Sequence, residues 1–327
     1  MSLIIPPPEL APFGLRAMAT VARAAHRGIG RPERAMLEAT QRVLLGTELA
    51  IDGLEEIGPA ELAARFADPA LAKQLVRGML LLSLADGPPA PQQTALIHAY
   101  AEALGVEEGF VGTLDHLANK ELLRFRLDFY RRTHLREYMQ THYRTQGGIL
   151  GVAKALLGTA GLLEDHALAA RFRAFGALPE DSLGYAFYRH YEDNGFSFPG
   201  ERRGFPVGAL WHDFGHVLGG YDTSPEGELQ VSAFQSGYRR NEDALAVLFF
   251  AMLIHTAGVN VAPIDMPIWV GRIGQPGLAD RILRAFRRGA EMDTDLGDDW
   301  DFWPYVELPI EEVRSRLGVP PAEEQAL

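Results

Sequence analysis

Apolar residues recur at helical spacing along most of the chain. In the first third, the pattern is clearest over residues 36–45 and 68–84, and the second of these ends at the breaker Asp86-Gly87-Pro88-Pro89. A further helix is predicted over residues 92–104. Alternating strand patterns are nearly absent, so the sequence predicts an all-α fold.

The helical pattern continues through the rest of the chain. Residues 117–143 predict a long amphipathic helix with a basic face. Beyond it, helices are predicted over residues 164–172, 182–194, 208–218, from 226 onward, 279–290 and 310–317.

Residues 244–257 form the most apolar run of the chain and contain His255. The run is shorter than the roughly 20 residues needed to span a bilayer, so it predicts a buried helix. Shallow contact with a membrane surface and a channel for a lipid are two further interpretations of such a helix.

Composition and charge narrow the functional classes. The chain has 327 residues, a net charge of −12 and no cysteine. The acidic balance disfavours general nucleic-acid binding, and the lack of cysteine excludes disulfides, thiolate nucleophiles and cysteine-ligated metals. Residues 1–8 lack the features of a secretory signal, so a cytoplasmic protein is expected.

Gly147, Gly148 and Gly151 interrupt the pattern near the middle of the chain. They indicate a boundary within residues 145–160. We therefore predict two helical domains, over residues 1–150 and 151–327.

One segment of the second predicted domain carries candidate chemistry. Residues His212 and His216 lie four apart, which on a helix places two imidazoles on one face. Asp213 has three candidate roles: a third metal ligand, a hydrogen-bond partner that orients an imidazole, or a general base. After a turn at Gly219-Gly220, Glu228 can reach back to complete the site. The predicted metal ligands are thus His212, Asp213, His216 and Glu228, with Asp213 and Glu228 as catalytic candidates.

The motif His212-Asp213-x-x-His216, followed after eleven residues by Glu228, resembles the metal-binding signature of the coenzyme Q biosynthesis protein 4 family. The resemblance covers about residues 160–320. Other segments that carry it are Leu178-Pro179 through Gly184, Gly220-Tyr221 with Thr223, Gly227-Glu228 before Ala233-Phe234, Arg287-Arg288-Gly289, Trp300 to Trp303, and Arg316-Leu317-Gly318-Val319.

The resemblance implies a helical bundle with a divalent metal beside an apolar pocket for a polyprenyl lipid. It implies a role in ubiquinone biosynthesis, either in oxidative decarboxylation of a polyprenylated hydroxybenzoate or in organising other biosynthetic enzymes. Zinc or iron suits His and carboxylate ligands better than magnesium, which prefers more oxygen ligands. Tyr221 is a candidate substrate contact. His255 is interpreted as a core histidine or as a second substrate contact facing the pocket.

Residues 35–110, with Ala85-Asp86-Gly87 between two helices, resemble the tellurite-resistance TerB family of helical bundles. Gln92 and Gln93 stand where that family carries acidic residues. This half is therefore expected to be an interaction or structural module rather than a metal site.

The motif is also compatible with two alternative functions. The segment differs from the zinc-protease pattern His-Glu-x-x-His by one methylene, so a metallohydrolase is one alternative. A non-catalytic scaffold that binds a prenyl lipid is the other. The expected partners are a polyprenyl lipid or quinone precursor and other biosynthetic enzymes, with peripheral membrane contact and a homodimer as further options.

Overall fold

The computed structural model describes residues 3–25, 28–132, 164–241, 244–262, 266–297 and 300–322. In these ranges the chain forms α-helices, and its only β-structure is two isolated bridges, which confirms the all-α prediction. The helices are α1 (Ala11–Arg23), α2 (Arg31–Ala39), α3 (Pro59–Ala63), α4 (Pro69–Leu82), α5 (Pro91–Ala103), α6 (Gly109–Ala118), α7 (Leu122–Arg132), α8 (His166–Arg173), α9 (Leu183–Asn194), α10 (Trp211–Gly219), α11 (Pro225–Tyr238), α12 (Ala244–His255), α13 (Leu278–Ala290) and α14 (Ile310–Leu317).

The chain divides into two compact units that are discontinuous in sequence. The first unit comprises Ser2–Arg132 and Leu245–Arg287, and the second comprises mainly Thr133–Ala244 and Arg288–Leu327. The boundary predicted within residues 145–160 lies outside the described residues. The sequence-based division was continuous, whereas in the structure the segment from Leu245 to Arg287 packs with the N-terminal part of the chain.

The first unit is built from helices around an apolar core. The carboxylate of Asp68 accepts hydrogen bonds from the backbone N–H groups of Ala70 and Leu71, which fixes the start of α4. Helix α12 is buried along most of its length, with Phe249 and Leu253 fully inaccessible. The prediction that the apolar run is a buried helix is confirmed.

Among the described residues, no helix has both the length and the apolar character needed to cross a membrane.

In the first unit, one sequence prediction is wrong and one helix was not predicted. The single helix expected from residue 117 is wrong at its start, because α6 ends at Ala118 and α7 begins at Leu122. Lys120 between them has a φ of 62°, a left-handed conformation that no helix continues through. The predicted extension beyond Arg132 lies outside the described residues. Helix α1 was not predicted, although its inner face is buried.

The second unit is organised around an aromatic cluster. Phe187 of α9 stacks on Phe214 of α10 at a centroid distance of 4.5 Å, and Phe214 contacts Phe302 at 4.6 Å. The C-terminal segment is held to the start of α9 by backbone hydrogen bonds, such as that from the Gly184 N–H to the Val306 carbonyl at 2.8 Å. The cluster fixes the face of α10 that carries Phe214.

Helices α10 and α11 form a hairpin whose turn is set by local chemistry. Gly220 ends α10 with a φ of 73°, a conformation that glycine adopts without steric cost. The Ser224 hydroxyl then accepts a hydrogen bond from the Gly227 N–H and caps α11. Close packing of the two helices depends on Gly215, because a Cβ there would lie 2.2 Å from the side-chain nitrogen of Gln235.

Candidate metal centre

Three of the four predicted ligands converge at the α10–α11 hairpin. The Nε2 atoms of His212 and His216 lie 3.3 Å apart. The Glu228 carboxylate lies 3.3 Å from His212 Nε2 through Oε2 and 3.4 Å from His216 Nε2 through Oε1. The three side chains therefore offer ligand atoms to one common position, as the spacing in the sequence predicted.

The other ring nitrogen of each histidine faces a carbonyl oxygen. His212 Nδ1 lies 3.1 Å from the Gln235 side-chain oxygen, and His216 Nδ1 lies 3.1 Å from the backbone oxygen of Tyr221. A carbonyl oxygen only accepts, so both Nδ1 atoms carry the proton and donate it. In the neutral rings the lone pair is then at Nε2, which is the state a metal requires.

Gln235 holds His212 from two sides. Its side-chain nitrogen donates to the backbone oxygen of His212 at 3.1 Å while its oxygen accepts from the ring. The amide is fully buried, so it has no competing water contact. This residue was not predicted from the sequence.

The electrostatics couple Glu228 to both imidazoles. Burial alone would raise the pKa of Glu228, but hydrogen bonding and proximity to the two histidines outweigh burial and hold it far below its ordinary value. Burial alone would lower the pKa of His212, yet the hydrogen bond and charge of Glu228 raise it to about 9. Without a cation, a proton on His212 therefore balances the carboxylate.

Asp213 is not part of the group of three converging ligands. Its carboxylate is buried and accepts a hydrogen bond from the hydroxyl of Tyr191 on α9. Burial raises the pKa of Asp213 and also that of Tyr191, so the hydroxyl remains a donor. The structure thus shows Asp213 joining α10 to α9, and its predicted roles as ligand and catalytic group stay predictions.

Two arginines hold the C-terminal end of α10. Arg314 donates to the backbone oxygens of Val217 and Leu218, and Arg288 donates to that of Gly219 at 2.6 Å. These carbonyls have no partner within the helix, and cations at a helix C-terminus also interact favourably with its dipole. The arginines therefore fix the end of the helix that carries both imidazoles.

The two predicted substrate contacts lie in different environments. The Tyr221 hydroxyl lies 3.2 Å from a guanidinium nitrogen of Arg288, and its backbone oxygen supports His216. His255 belongs to the first unit, where its ring stacks on Trp269 at 5.4 Å. Substrate contact by either residue stays a prediction.

His190 on α9 is a neighbour of the site that the sequence analysis did not single out. Its ring stacks on that of His216 at a centroid distance of 5.3 Å and an interplanar angle of 25°. Burial, together with the two nearby imidazoles, lowers the pKa of His190 to about 4. Its position on a predicted helix was the only available signal, because nothing in its spacing relates it to the motif.

Aromatic side chains flank the histidines and reach solvent. Phe196 packs edge-on against His190 at 5.8 Å, and Phe205 lies 6.5 Å from His212. Both phenyl groups are more than 40% exposed. The side chains of His212 and Glu228 are about a quarter exposed, so a ligand can reach the group of three from solvent.

The donor spacing fits a small divalent cation. Ligand atoms bound at ~2.0–2.2 Å in a tetrahedral arrangement lie roughly 3.3–3.6 Å apart. The two Nε2 atoms lie 3.3 Å apart, which matches this spacing, and each faces its own Glu228 oxygen, Oε2 at 3.3 Å from His212 and Oε1 at 3.4 Å from His216. Two imidazoles and one carboxylate leave further positions open, which is typical of catalytic rather than structural metal sites.

Comparisons with known proteins leave the family open. No family model and no curated protein matches the chain. One similar solved structure is that of a protein from Nostoc punctiforme named a "putative ubiquinone biosynthesis protein", with 20% identity over 65% of this chain and 96% of that chain and a TM-score of 0.35. A likeness at this TM-score supports neither a shared fold nor a shared function, so both family resemblances stay hypotheses.

Proposed function

We propose that this protein is a metal-dependent component of ubiquinone or related isoprenoid-quinone biosynthesis. The observation that carries the proposal is the convergence of His212, His216 and Glu228. These residues form the core of the motif that resembles the coenzyme Q biosynthesis protein 4 family. The finer proposal is oxidative decarboxylation of a polyprenylated hydroxybenzoate.

The donor set favours zinc or iron over magnesium. Magnesium requires near-octahedral oxygen coordination at ~2.0–2.1 Å, whereas two of the three donors here are nitrogen atoms. Imidazole with carboxylate suits a first-row metal with open positions. Such a metal, when bound, would act as a Lewis acid that polarises a carboxylate or phenolate oxygen.

The residues of the chain supply orientation and access. Gln235 and the Tyr221 carbonyl keep both Nε2 atoms directed at one position. Phe196 and Phe205 give the surroundings an exposed aromatic surface, which suits a ligand with an apolar body and a polar head group. An apolar pocket for the prenyl chain and association with a membrane surface belong to the same proposal.

A metallohydrolase is supported less well. That chemistry would use Asp213 as the base that activates a water molecule, by analogy with His-Glu-x-x-His. Here the Asp213 carboxylate is buried and engaged by the Tyr191 hydroxyl. A scaffold role, with the metal stabilising the hairpin, differs from the enzyme proposal only in the absence of turnover.

Metal content and turnover test the proposal together. Purified protein should contain about one zinc or iron per chain, and Glu228→Gln should contain almost none. The loaded protein should release labelled carbon dioxide from a carboxyl-labelled prenyl hydroxybenzoate in the presence of oxygen and a reductant. Glu226→Gln, a change on the same helix outside the group of three, is the matched control.

Each result has a distinct meaning. Metal in the wild type with release that depends on Glu228 supports the enzyme proposal. Metal without release by any variant favours the scaffold. Equal metal content in the wild type and Glu228→Gln would overturn the site itself.

A further inference from the structure

His190 carries a polar atom that the described structure leaves unused. Its Nε2 atom is buried and has no hydrogen-bond partner within the described part of the chain. A buried polar nitrogen without a partner is destabilising, and most such groups in native proteins are paired. The position is therefore unfavourable for the protein alone.

The ring that carries this nitrogen lies beside the group of three donors. The His190 ring stacks on His216, which is one of the three donors. Phe196, an exposed aromatic residue, packs edge-on against the same His190 ring. A neutral imidazole nitrogen makes one directional hydrogen bond, as donor or as acceptor. A ligand head group bound at the three donors would be the natural partner.

We propose that His190 binds the substrate, with its Nε2 atom making a hydrogen bond to the oxygen-bearing head group of an aromatic acid or phenol held at the His212–His216–Glu228 site. The inference rests on the proposed metal centre and adds a binding residue from α9. The unpaired nitrogen then serves to bind a ligand and does not stabilise the fold.

Cobalt-loaded protein provides a probe that does not require turnover. Cobalt(II) bound to nitrogen and oxygen ligands has a visible spectrum that changes when a further ligand binds, so 4-hydroxybenzoate can be titrated directly. His190→Phe should bind cobalt as the wild type does but bind 4-hydroxybenzoate about tenfold more weakly. Its ligand-free melting temperature should be unchanged or higher, because the variant no longer buries an unpaired nitrogen.

Two amide variants identify the atom. A glutamine amide can reach the position of Nε2, whereas an asparagine amide corresponds to Nδ1. His190→Gln should therefore restore most of the affinity for 4-hydroxybenzoate, and His190→Asn should not. His166→Phe, at an exposed histidine of the same unit, should leave both affinities unchanged.

The outcomes separate this inference from the proposed function. A wild-type protein that binds no cobalt contradicts the metal centre itself. Cobalt binding with 4-hydroxybenzoate affinity that is equal in the wild type and His190→Phe overturns only the role of His190. A cobalt-loaded wild type that binds no 4-hydroxybenzoate, or a His190→Phe variant that loses cobalt as well, also overturns it.

Discussion

The two units bury ionisable groups in opposite ways. In the first unit, Arg77 and Glu108 form an ion pair at 2.6 Å in which each side chain is 5% exposed, and Glu108 also accepts a hydrogen bond from the backbone of Phe110. Cation and anion compensate each other there. The second unit instead directs two imidazoles and one carboxylate, from His212, His216 and Glu228, at a single position. A proton or a metal ion must balance the charge of that carboxylate. A closed pair stabilises a fold, whereas an open group of donors prepares a binding site.

The largest expected effect tests the open group. Glu228→Gln removes the anionic ligand but keeps the shape of the side chain. Zinc affinity should fall by at least roughly 100-fold, as measured by competition with a chromogenic chelator. Glu108→Gln is the corresponding change in the closed pair and should leave zinc affinity unchanged. Equal losses in the two variants would mean that unfolding, and not ligation, controls the metal.

The closed pair should control stability instead. Arg77→Met leaves the Glu108 carboxylate buried without its cation, which should lower the free energy of unfolding by about 3–5 kcal/mol. The double change Arg77→Met with Glu108→Met should recover much of that loss. Urea unfolding of the metal-free proteins measures both. A single variant as stable as the wild type would show that the pair is not a source of stability.

The open group should give the protein a characteristic pH response. In the metal-free protein, the pKa of His212 is raised from 6.5 to about 9, so its stabilising contribution is complete below pH 6.5 and is lost as the pH rises through 9. The pKa of Glu228 is lowered from 4.5, so its contribution is complete above pH 4.5 and is lost as the pH falls further. The interaction of His212 with Glu228 therefore contributes most to stability between pH 4.5 and pH 6.5.

A metal reverses this dependence, because it competes with the proton on His212. Zinc affinity should rise about tenfold for each pH unit between roughly 6.5 and 9. Thermal melts across this range should show the metal-free protein losing stability while the shift caused by zinc increases. A zinc shift that is independent of pH would contradict ligation by His212.

A smaller loss of affinity is expected from the residue that orients His212. Gln235→Leu removes the acceptor for Nδ1–H, so the ring can rotate or change tautomer. Zinc affinity should fall by about 10–100-fold. Gln230→Leu, which changes a partly exposed amide of the same helix that donates to the Glu226 backbone, is the control and should bind zinc normally. If Gln235→Leu binds zinc as tightly as the wild type, packing alone and not this hydrogen bond orients His212.

The sequence predicted the convergence of the three donor side chains better than the contacts that support them. Residues four apart on a helix must share a face, and a glycine turn returns the chain, so His212, His216 and Glu228 followed from local rules. Gln235 contacts the site through side-chain geometry that spacing does not encode. Arg288 and Arg314 come from segments about 70 to 100 residues further along the chain. Support of this kind depends on tertiary packing.

The same reasoning explains where the structure differs from the expectations drawn from the sequence. An apolar run predicts burial, which was confirmed for α12, but it does not say which residues will cover it. The segment from Leu245 to Arg287 therefore joined the N-terminal unit without any signal in composition. The break between α6 and α7 rests on one left-handed residue, Lys120, within a pattern that remains amphipathic.

The smallest expected effect compares the helix caps of the two units. Asp68 caps α4 in the first unit, and Ser224 caps α11, the helix that carries Glu228. Replacing either residue by alanine should lower the free energy of unfolding by about 1 kcal/mol, because the change removes the side-chain acceptor of two N–H groups at the start of α4 or of one at the start of α11. Only Ser224→Ala loosens the turn that holds a ligand, so it alone should also weaken zinc binding by a few-fold. Urea unfolding and chelator competition measure stability and zinc affinity in both variants. Equal losses of stability with a loss of zinc affinity only in Ser224→Ala would locate the functional difference between the units in the hairpin. Equal zinc affinities would show that Glu228 is held by packing along α11 rather than by its first turn.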